Sequence, residues 1–326
     1  LCKSLKEKYD CDLYAIYDIP NKPKSYFQKQ EIIKFQKTWF YHDLISARSS
    51  KPDIQFLKKF EEKYNINLWL LARNDRIFNE FNDFYDFTED EILLILEQES
   101  KSFDKILDEV NPNYVILWHP TLQQDYLLYL ICKARGIKTL ILRTTRIGKK
   151  FIISNNNQDI GFNKITPSVN SDKITDNVLE YHDKFDPRKV TAGFRNRFMN
   201  SNSDMISALR KYIFSENSSM NTHYTYFGRT KLKVLLKYFK YSIQKKIRKN
   251  FIDKNLIKEI NPNDSFIYFP LHMEQERSTL IDAPFNTDQL QVVKQIVKSL
   301  PVGINLYVKE HPSMKSRNWR SISIYK

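Results

Sequence analysis

Six glycines serve a chain of 326 residues, and they stand far apart. They are Gly136, Gly148, Gly161, Gly193, Gly228 and Gly303, and the closest two are twelve positions apart. A backbone loop that cradles phosphate needs glycines within a few residues of each other, because they alone permit the tight turn and the close approach. Neither GxGxxG nor GxxxxGK[ST] nor GxSxG can be written in this sequence. A glycine-fingerprint dinucleotide enzyme, a Walker-type nucleotidase and a typical α/β-hydrolase therefore fall away as readings. The six histidines (His42, His119, His182, His223, His272 and His311) never come within five residues of one another, so HExxH is also missing.

At 39.0 kDa the chain has room for two domains of roughly 150 residues each. Hydrophobic residues make up 41% and charged ones 28%, the balance of a globular chain. No run approaches the roughly 18 apolar residues that a membrane-crossing helix needs. The opening LCKSLKEKYD has no apolar signal core, and the cysteines (Cys2, Cys11, Cys132) include no CxxC pair. The expectation is a cytoplasmic protein without disulfides, zinc framework or other metal cofactor.

Strand and helix patterns alternate at both ends of the chain. Leu13 to Tyr17 is a short apolar strand ending at Asp18, and LCKSLKEKY before it resembles the tail of a helix, so a first strand is expected upstream. Residues 52–64 and 88–110 have helical periodicity, and Thr88 with Glu91 three positions on forms a capping-box pattern. Asn111-Pro112-Asn113 breaks that helix. The continuous apolar run Tyr114–Trp118 predicts a strand buried on both faces. A helix from Thr121 to Ala134, a terminating Gly136 and the strand Thr139–Leu142 complete a β-α-β unit with a parallel pair. Residues 154–204 are polar and weakly periodic, the pattern of loops or a linker. Alternation resumes with strand Phe266–Phe269, a helix from Asp288 bearing Leu290, Val293, Val297 and Leu300 on one face, and strand Ile304–Val308. A second α/β domain thus starts near residue 255, and the chain is expected to stop before completing it.

The charge is uneven. Net charge is +14, and residues 205–250 hold eleven Lys/Arg against one acid, Glu216. Within this stretch Leu232, Leu235, Leu236, Phe239, Ile243 and Ile247 recur at helical spacing with Lys and Arg between them. One reading is a core-packed helix with a solvated basic face. The other is a surface, residues 229–252, that meets anionic membrane or an anionic polymer. No RNP, KH or finger signature supports nucleic acid as the partner.

Ligands of open parallel sheets bind beyond the carboxyl ends of the strands. Those positions hold Asp18; His119 and Pro120; Arg143, Thr144, Thr145 and Arg146; the segment His272 to Ser278 with Glu276 and Arg277; and Lys309, Glu310 and His311. Lys309 and His311 are two apart, so on an extended segment they share a side and can bind one phosphate. Asp18 is the best-placed carboxylate on the N-terminal side and His119 the second polar candidate; a strand-end turn or capping role is the commoner one for each. Asp10-Cys11-Asp12 matches a metal-binding DxD pattern but precedes a strand, which makes it a turn.

The strings FPLHMEQERSTL and LYVKEHPSM, with the helix start Asp288-Gln289 between them, resemble bacterial and archaeal capsule or surface-polysaccharide biosynthesis glycosyltransferases, a GT-B group related to Kdo-transferase-like enzymes. NPNYVILWHP and GIKTLILRTTRIG resemble the N-terminal half of such proteins. The resemblance implies an α/β protein of two Rossmann-like domains, the second incomplete. Residues 1–204 would form the acceptor-side domain, 205–255 a basic helical linker, and 256–326 the start of the nucleotide-sugar-binding domain. It implies that His311 and Lys309 face the donor phosphate, that Glu310 or Glu276 holds ribose or base, and that His272, Arg277 and Ser278 line the same site, without a metal. Arg143 and Arg146 would lie on the acceptor side, with Asp18 or His119 as the general base. The expected activity is transfer of a sugar from a nucleotide donor to a surface polysaccharide or lipid-linked glycan at the inner face of the cell membrane. A nucleotide-sugar epimerase on the same fold and a non-catalytic basic binding module are the rivals.

Overall fold

The computed structural model of the protein describes residues 2–19, 21–45, 51–73, 75, 77–78, 84–144, 151–156, 207, 210–214, 223–273, 278–315 and 319–326. Most of the polar stretch 154–204 lies outside them. The protein is a mixed α/β chain with small sheets. It divides into two compact units, Leu1–Ala72 with Tyr85–Gly228 and Arg73–Phe84 with Arg229–Lys326.

The first unit opens with helix α1 (Cys2–Lys8), strand β1 (Tyr14–Tyr17), helix α2 (Asn21–Lys29) and strand β2 (Lys37–Phe40), which pairs in parallel with β1. Short helix α3 (Tyr41–Leu44) follows β2 without a break. Helices α4 (Ile54–Tyr64) and α5 (Leu68–Arg73) come next, then the long α6 (Glu89–Val110). Each starts and stops for a local reason. The Asp53 side chain caps α4, and Asn65 ends it at φ 52°, a left-handed angle that Asn tolerates better than most residues. The capping box of α6 is formed as its sequence predicts: Thr88 N–H donates to Glu91 at 2.9 Å and Glu91 N–H to Thr88 Oγ1 at 3.3 Å. Asn111 ends α6 in the left-handed region at φ 43°.

Strand β3 (Tyr114–Trp118), helix α7 (Gln123–Ala134) and strand β4 (Lys138–Thr144) then form the expected β-α-β unit. The parallel register runs from Tyr114 opposite Lys138 to Trp118 opposite Leu142. Gly136, at φ +71°, supplies the turn out of α7. Strand β5 (Phe151–Ser154) adds an antiparallel edge to β4. The core lies where α4, α6 and α7 meet, with Leu57, Phe60, Leu96, Phe103, Leu127, Ile131, Cys132 and Ile141 buried. Burial pushes the Cys132 thiol up to about 12. The double-sided burial expected for Tyr114–Trp118 does not occur. Tyr114, Ile116 and Trp118 are exposed while Val115 and Leu117 are half-buried, because α7 packs on one face of the pair.

The second unit contains helix α8 (Lys231–Asn255), strand β6 (Phe266–Pro270), helix α9 (Gln289–Ser299), strand β7 (Asn305–Lys309) and a final turn of helix, α10 (Ile322–Tyr325). Strands β6 and β7 are parallel, with Pro270 opposite Lys309. Thr230 caps α8 and Asp288 caps α9. Of the apolar positions of the basic helix, Leu235 is half-buried while Leu232, Leu236, Phe239, Ile243 and Ile247 are exposed, and no residue of α8 is fully buried.

Thr88→Ala removes the acceptor that anchors the first turn of α6, the helix at the centre of the first unit. We expect a loss of about 1 kcal/mol in urea unfolding, with little change for Thr88→Ser.

Candidate active site

Polar side chains gather at the carboxyl ends of the first unit's strands. Asp18 follows β1, Tyr41 and His42 follow β2, and Gln123 and Gln124 open α7 just past β3. Two more elements reach them: α6 with Glu99, and a 3-10 turn, Tyr224–Tyr226, with His223 before it.

The groups form two linked layers. In the inner one Glu99, fully buried, accepts from the Tyr41 hydroxyl, from Gln123 Nε2 at 2.6 Å and from the Tyr224 hydroxyl at 3.4 Å. The Tyr41 and Tyr224 hydroxyls are themselves 2.9 Å apart. Burial first, and then the Glu99 carboxylate, drives the Tyr41 phenol well above its ordinary range, so it stays a donor. In the outer layer Asp18 Oδ1 lies 3.2 Å from His42 Nε2, and Asp18 Oδ2 accepts from Gln124 Nε2 at 3.1 Å. The His42 ring stacks on His223 with centroids 3.9 Å apart and planes 8° from parallel. Each of the three donors to Glu99 is a chain neighbour of an outer residue: Tyr41 of His42, Gln123 of Gln124, Tyr224 of His223.

The outer layer opens to solvent at one residue. His42 and His223 are buried, whereas 39% of the Asp18 side chain is exposed. Burial raises the Asp18 carboxyl, but hydrogen bonds from His42 and Gln124 and the charges of His42 and His223 outweigh it and hold the group below the usual carboxylate value. His223 Nδ1 accepts from the Thr225 N–H at 3.4 Å, which leaves the ring proton on Nε2. Its burial, reinforced by positive charge on His42 and partly offset by Asp18, pushes the imidazole down to about 3. The arrangement presents one anionic oxygen pair, oriented by two donors, to whatever approaches.

The second expected base, His119, is half-buried just past β3, where its N–H prolongs the ladder by donating to Leu142 O at 3.0 Å. Arg143 donates from Nη2 to Asn156 O at 3.3 Å, which ties it to the end of β5. Asp12 of the DxD string accepts from Gln36 at 2.7 Å, in the turn that precedes β1. Arg146, Glu276 and Arg277 lie outside the described residues, as does the side chain of Ser278.

In the second unit the carboxyl ends of β6 and β7 are fastened together. Leu271 N–H donates to Lys309 O at 2.8 Å. The Gln289 side-chain amide pairs with the His272 backbone, with His272 N–H donating to Gln289 Oε1 at 2.6 Å and Gln289 Nε2 donating to His272 O at 3.0 Å. Arg320, buried, donates from Nη2 to His272 O at 2.7 Å and from Nε to Glu310 Oε2 at 2.9 Å. This corrects the role expected for Glu310. Its Oε2 also accepts from Tyr325 at 2.5 Å and its Oε1 from the His311 N–H at 2.8 Å, so the carboxylate is consumed inside the unit rather than offered to a ribose. Lys309 and the His272 side chain are exposed, and His311 is half-exposed. His311 Nδ1 accepts from the Ser313 N–H at 3.2 Å, which leaves Nε2 as the ring's N–H donor. His272 and His311 each stand two residues beyond the paired Pro270 and Lys309, so three nitrogen-bearing side chains share this end of the pair.

Among the described residues no group of three or more His, Cys, Asp or Glu could hold a metal ion, and no helix is long and apolar enough to cross a membrane. No family model, curated protein or solved structure matches the chain.

Strand-end reasoning reached Asp18 but missed His42, Glu99, Gln123, Gln124 and His223. Two signals were present. Glu99 stands on the apolar stripe of α6, in line with Ile92, Leu96, Phe103 and Ile106, where a carboxylate must be buried. His42 follows the strand KTWF, too short and too polar at its start to read as one.

Two outcomes test this site. The folded-state value of His223 lies below its ordinary 6.5, so the unfolded chain takes up the proton first. The stabilisation is complete above pH 6.5 and is lost as pH falls from there toward about 3; the lowered Asp18 carboxyl adds a loss of the same sign at the acid end. Urea midpoints measured across this window should fall with acid, and His223→Asn, which keeps an acceptor for Thr225, should flatten the upper part of the curve. Glu310→Ala leaves Arg320 buried without its counter-ion and should cost about 3–5 kcal/mol in the same assay.

Proposed function

We propose that the protein is a metal-independent glycosyltransferase of GT-B type, moving a sugar from a nucleotide-activated donor to a capsule or other surface polysaccharide or glycolipid. The observation that carries this reading is Asp18: a carboxylate at a strand end, held anionic by His42 and Gln124, with one side open to solvent. In the reaction an acceptor hydroxyl attacks the anomeric carbon. The bond from that carbon to the donor's phosphate oxygen breaks, and the nucleotide leaves with the bonding pair. Asp18 takes the hydroxyl proton, a service worth roughly 10²–10⁴ in rate for a positioned base. His42 and Gln124 keep the carboxylate aimed while it does so.

In the second unit, taken by itself, Lys309 and His311 form a nitrogen-bearing strand end. An ammonium and an Nε2–H donor at the end of a parallel pair suit a phosphate that gains charge as it departs. The Glu310–Arg320 pair supports them from beneath by fixing the backbone between them. The resemblance of FPLHMEQERSTL and LYVKEHPSM to surface-polysaccharide glycosyltransferases points the same way, and on this reading the protein works at the inner face of the cell membrane, where lipid-linked acceptors are anchored.

The test is incubation with UDP-, GDP- and CMP-sugars, following release of free sugar or transfer to an acceptor glycan. One donor should be turned over. Asp18→Asn should lower kcat about a hundredfold or more with donor binding retained, and Lys309→Ala or His311→Ala should weaken donor binding about tenfold. Interconversion of the sugar without release would favour an epimerase, and failure to bind any nucleotide would overturn the enzymatic reading.

A further inference from the structure

Helix α8 carries an apolar stripe that its own unit does not cover. Leu232, Leu236, Phe239, Ile243 and Ile247 are between 45% and 67% exposed. At 100° per residue these five fall within a sector about 80° wide, running about 22 Å along the helix. The rotation of the helix is set from the other side. Arg248 donates from Nη1 to Trp319 O at 2.9 Å, the Lys237 ammonium lies 5.0 Å from the centre of the Phe84 ring, and Val234, Leu235, Tyr241, Phe251 and Ile252 are half-buried. The stripe is thus held outward rather than free to turn in.

The charge flanking the stripe is of one sign. Lys233 and Lys240 are exposed along one border, Lys246 and Lys249 along the other, and Lys254 lies beyond its end. Across the helix nine Lys or Arg face one acid, Asp253. A buried protein contact would leave those lysines desolvated without partners, whereas an anionic bilayer accepts the apolar stripe into its acyl boundary and the ammonium groups among its headgroups. Helix α8 is not apolar enough to cross a membrane, so the geometry is that of a helix lying in the plane of the surface.

We propose that α8 docks the second unit onto an anionic lipid surface, with Leu232, Leu236, Phe239, Ile243 and Ile247 inserted and Lys233, Lys240, Lys246 and Lys249 against the headgroups. The docking specifies the surface used by the membrane placement suggested above, yet it stands whether or not the chain transfers sugars.

Vesicle sedimentation with the whole chain tests it, using phosphatidylcholine vesicles with and without phosphatidylglycerol. The chain should bind the anionic vesicles at least tenfold more tightly, less so as salt rises, since each lysine near the surface contributes about 1 kcal/mol, or about fivefold. Phe239→Trp should report insertion as a blue shift of its emission. Lys240→Glu with Lys246→Glu, and separately Leu236→Ser with Phe239→Ser, should each lower binding about tenfold or more while circular dichroism stays unchanged. Equal binding to neutral vesicles, or no loss in either double variant, would overturn the proposal. So would a dimer in solution that Phe239→Glu disrupts, in the absence of vesicle binding. Sugar transfer to a soluble acceptor is read separately and does not depend on this result.

Discussion

A carboxylate with no access to water sits midway along α6, and the first unit is organised around it. An ionised acid in that position is tolerated only when its oxygens are hydrogen-bonded, since leaving it bare costs several kcal/mol. Glu99 is satisfied by Tyr41, Gln123 and Tyr224, which come from three separate elements. The backbone then does the rest. Once Tyr41, Gln123 and Tyr224 are placed, their chain neighbours His42, Gln124 and His223 have little freedom, and these are the residues that surround Asp18. A single acid in the core thereby sets the orientation of a second acid at the surface, with no direct bond between them.

The second unit solves a comparable problem with an ion pair. Arg320 lies between the ends of β6 and β7 and reaches a carbonyl on one and a carboxylate on the other. Trp319 just before it adopts a left-handed backbone at φ 58°, a conformation that costs a bulky residue on the order of 1 kcal/mol. That turn also aims the Trp319 carbonyl at Arg248 of α8. The strand ends, the basic helix and the final helical turn are therefore joined through two consecutive residues. Such a clamp keeps Lys309 and His311 at a fixed separation while leaving their polar ends uncommitted to Glu310 or Arg320.

What the sequence discloses here follows the range of the interaction. The β3–α7–β4 unit is legible because its signals are local: an apolar run, a helical stripe and Gly136 at the turn. The capping of α6 is legible for the same reason. The Asp18 group is not, since it joins residues 18, 42, 124 and 223 through contacts that leave no periodic trace. Only Glu99 announces itself, as a charge on an apolar stripe. Glu310 shows the opposite failure. Its position after a strand and between Lys309 and His311 suggests a ligand contact, and nothing nearby in sequence reveals that Arg320 and Tyr325 return to occupy it. The basic helix stays two-valued in the sequence, because periodicity identifies an apolar face without saying whether the protein itself covers it.

The three thiols differ in kind. Cys2 and Cys11 are half-exposed, whereas Cys132 of α7 is fully buried, which suppresses its ionisation. Because alkylation proceeds through the thiolate, a reagent that consumes the first two promptly must wait for the third until α7 lifts away. The chain thus contains its own clock for breathing of the layer that supports Asp18, readable by mass without adding a label.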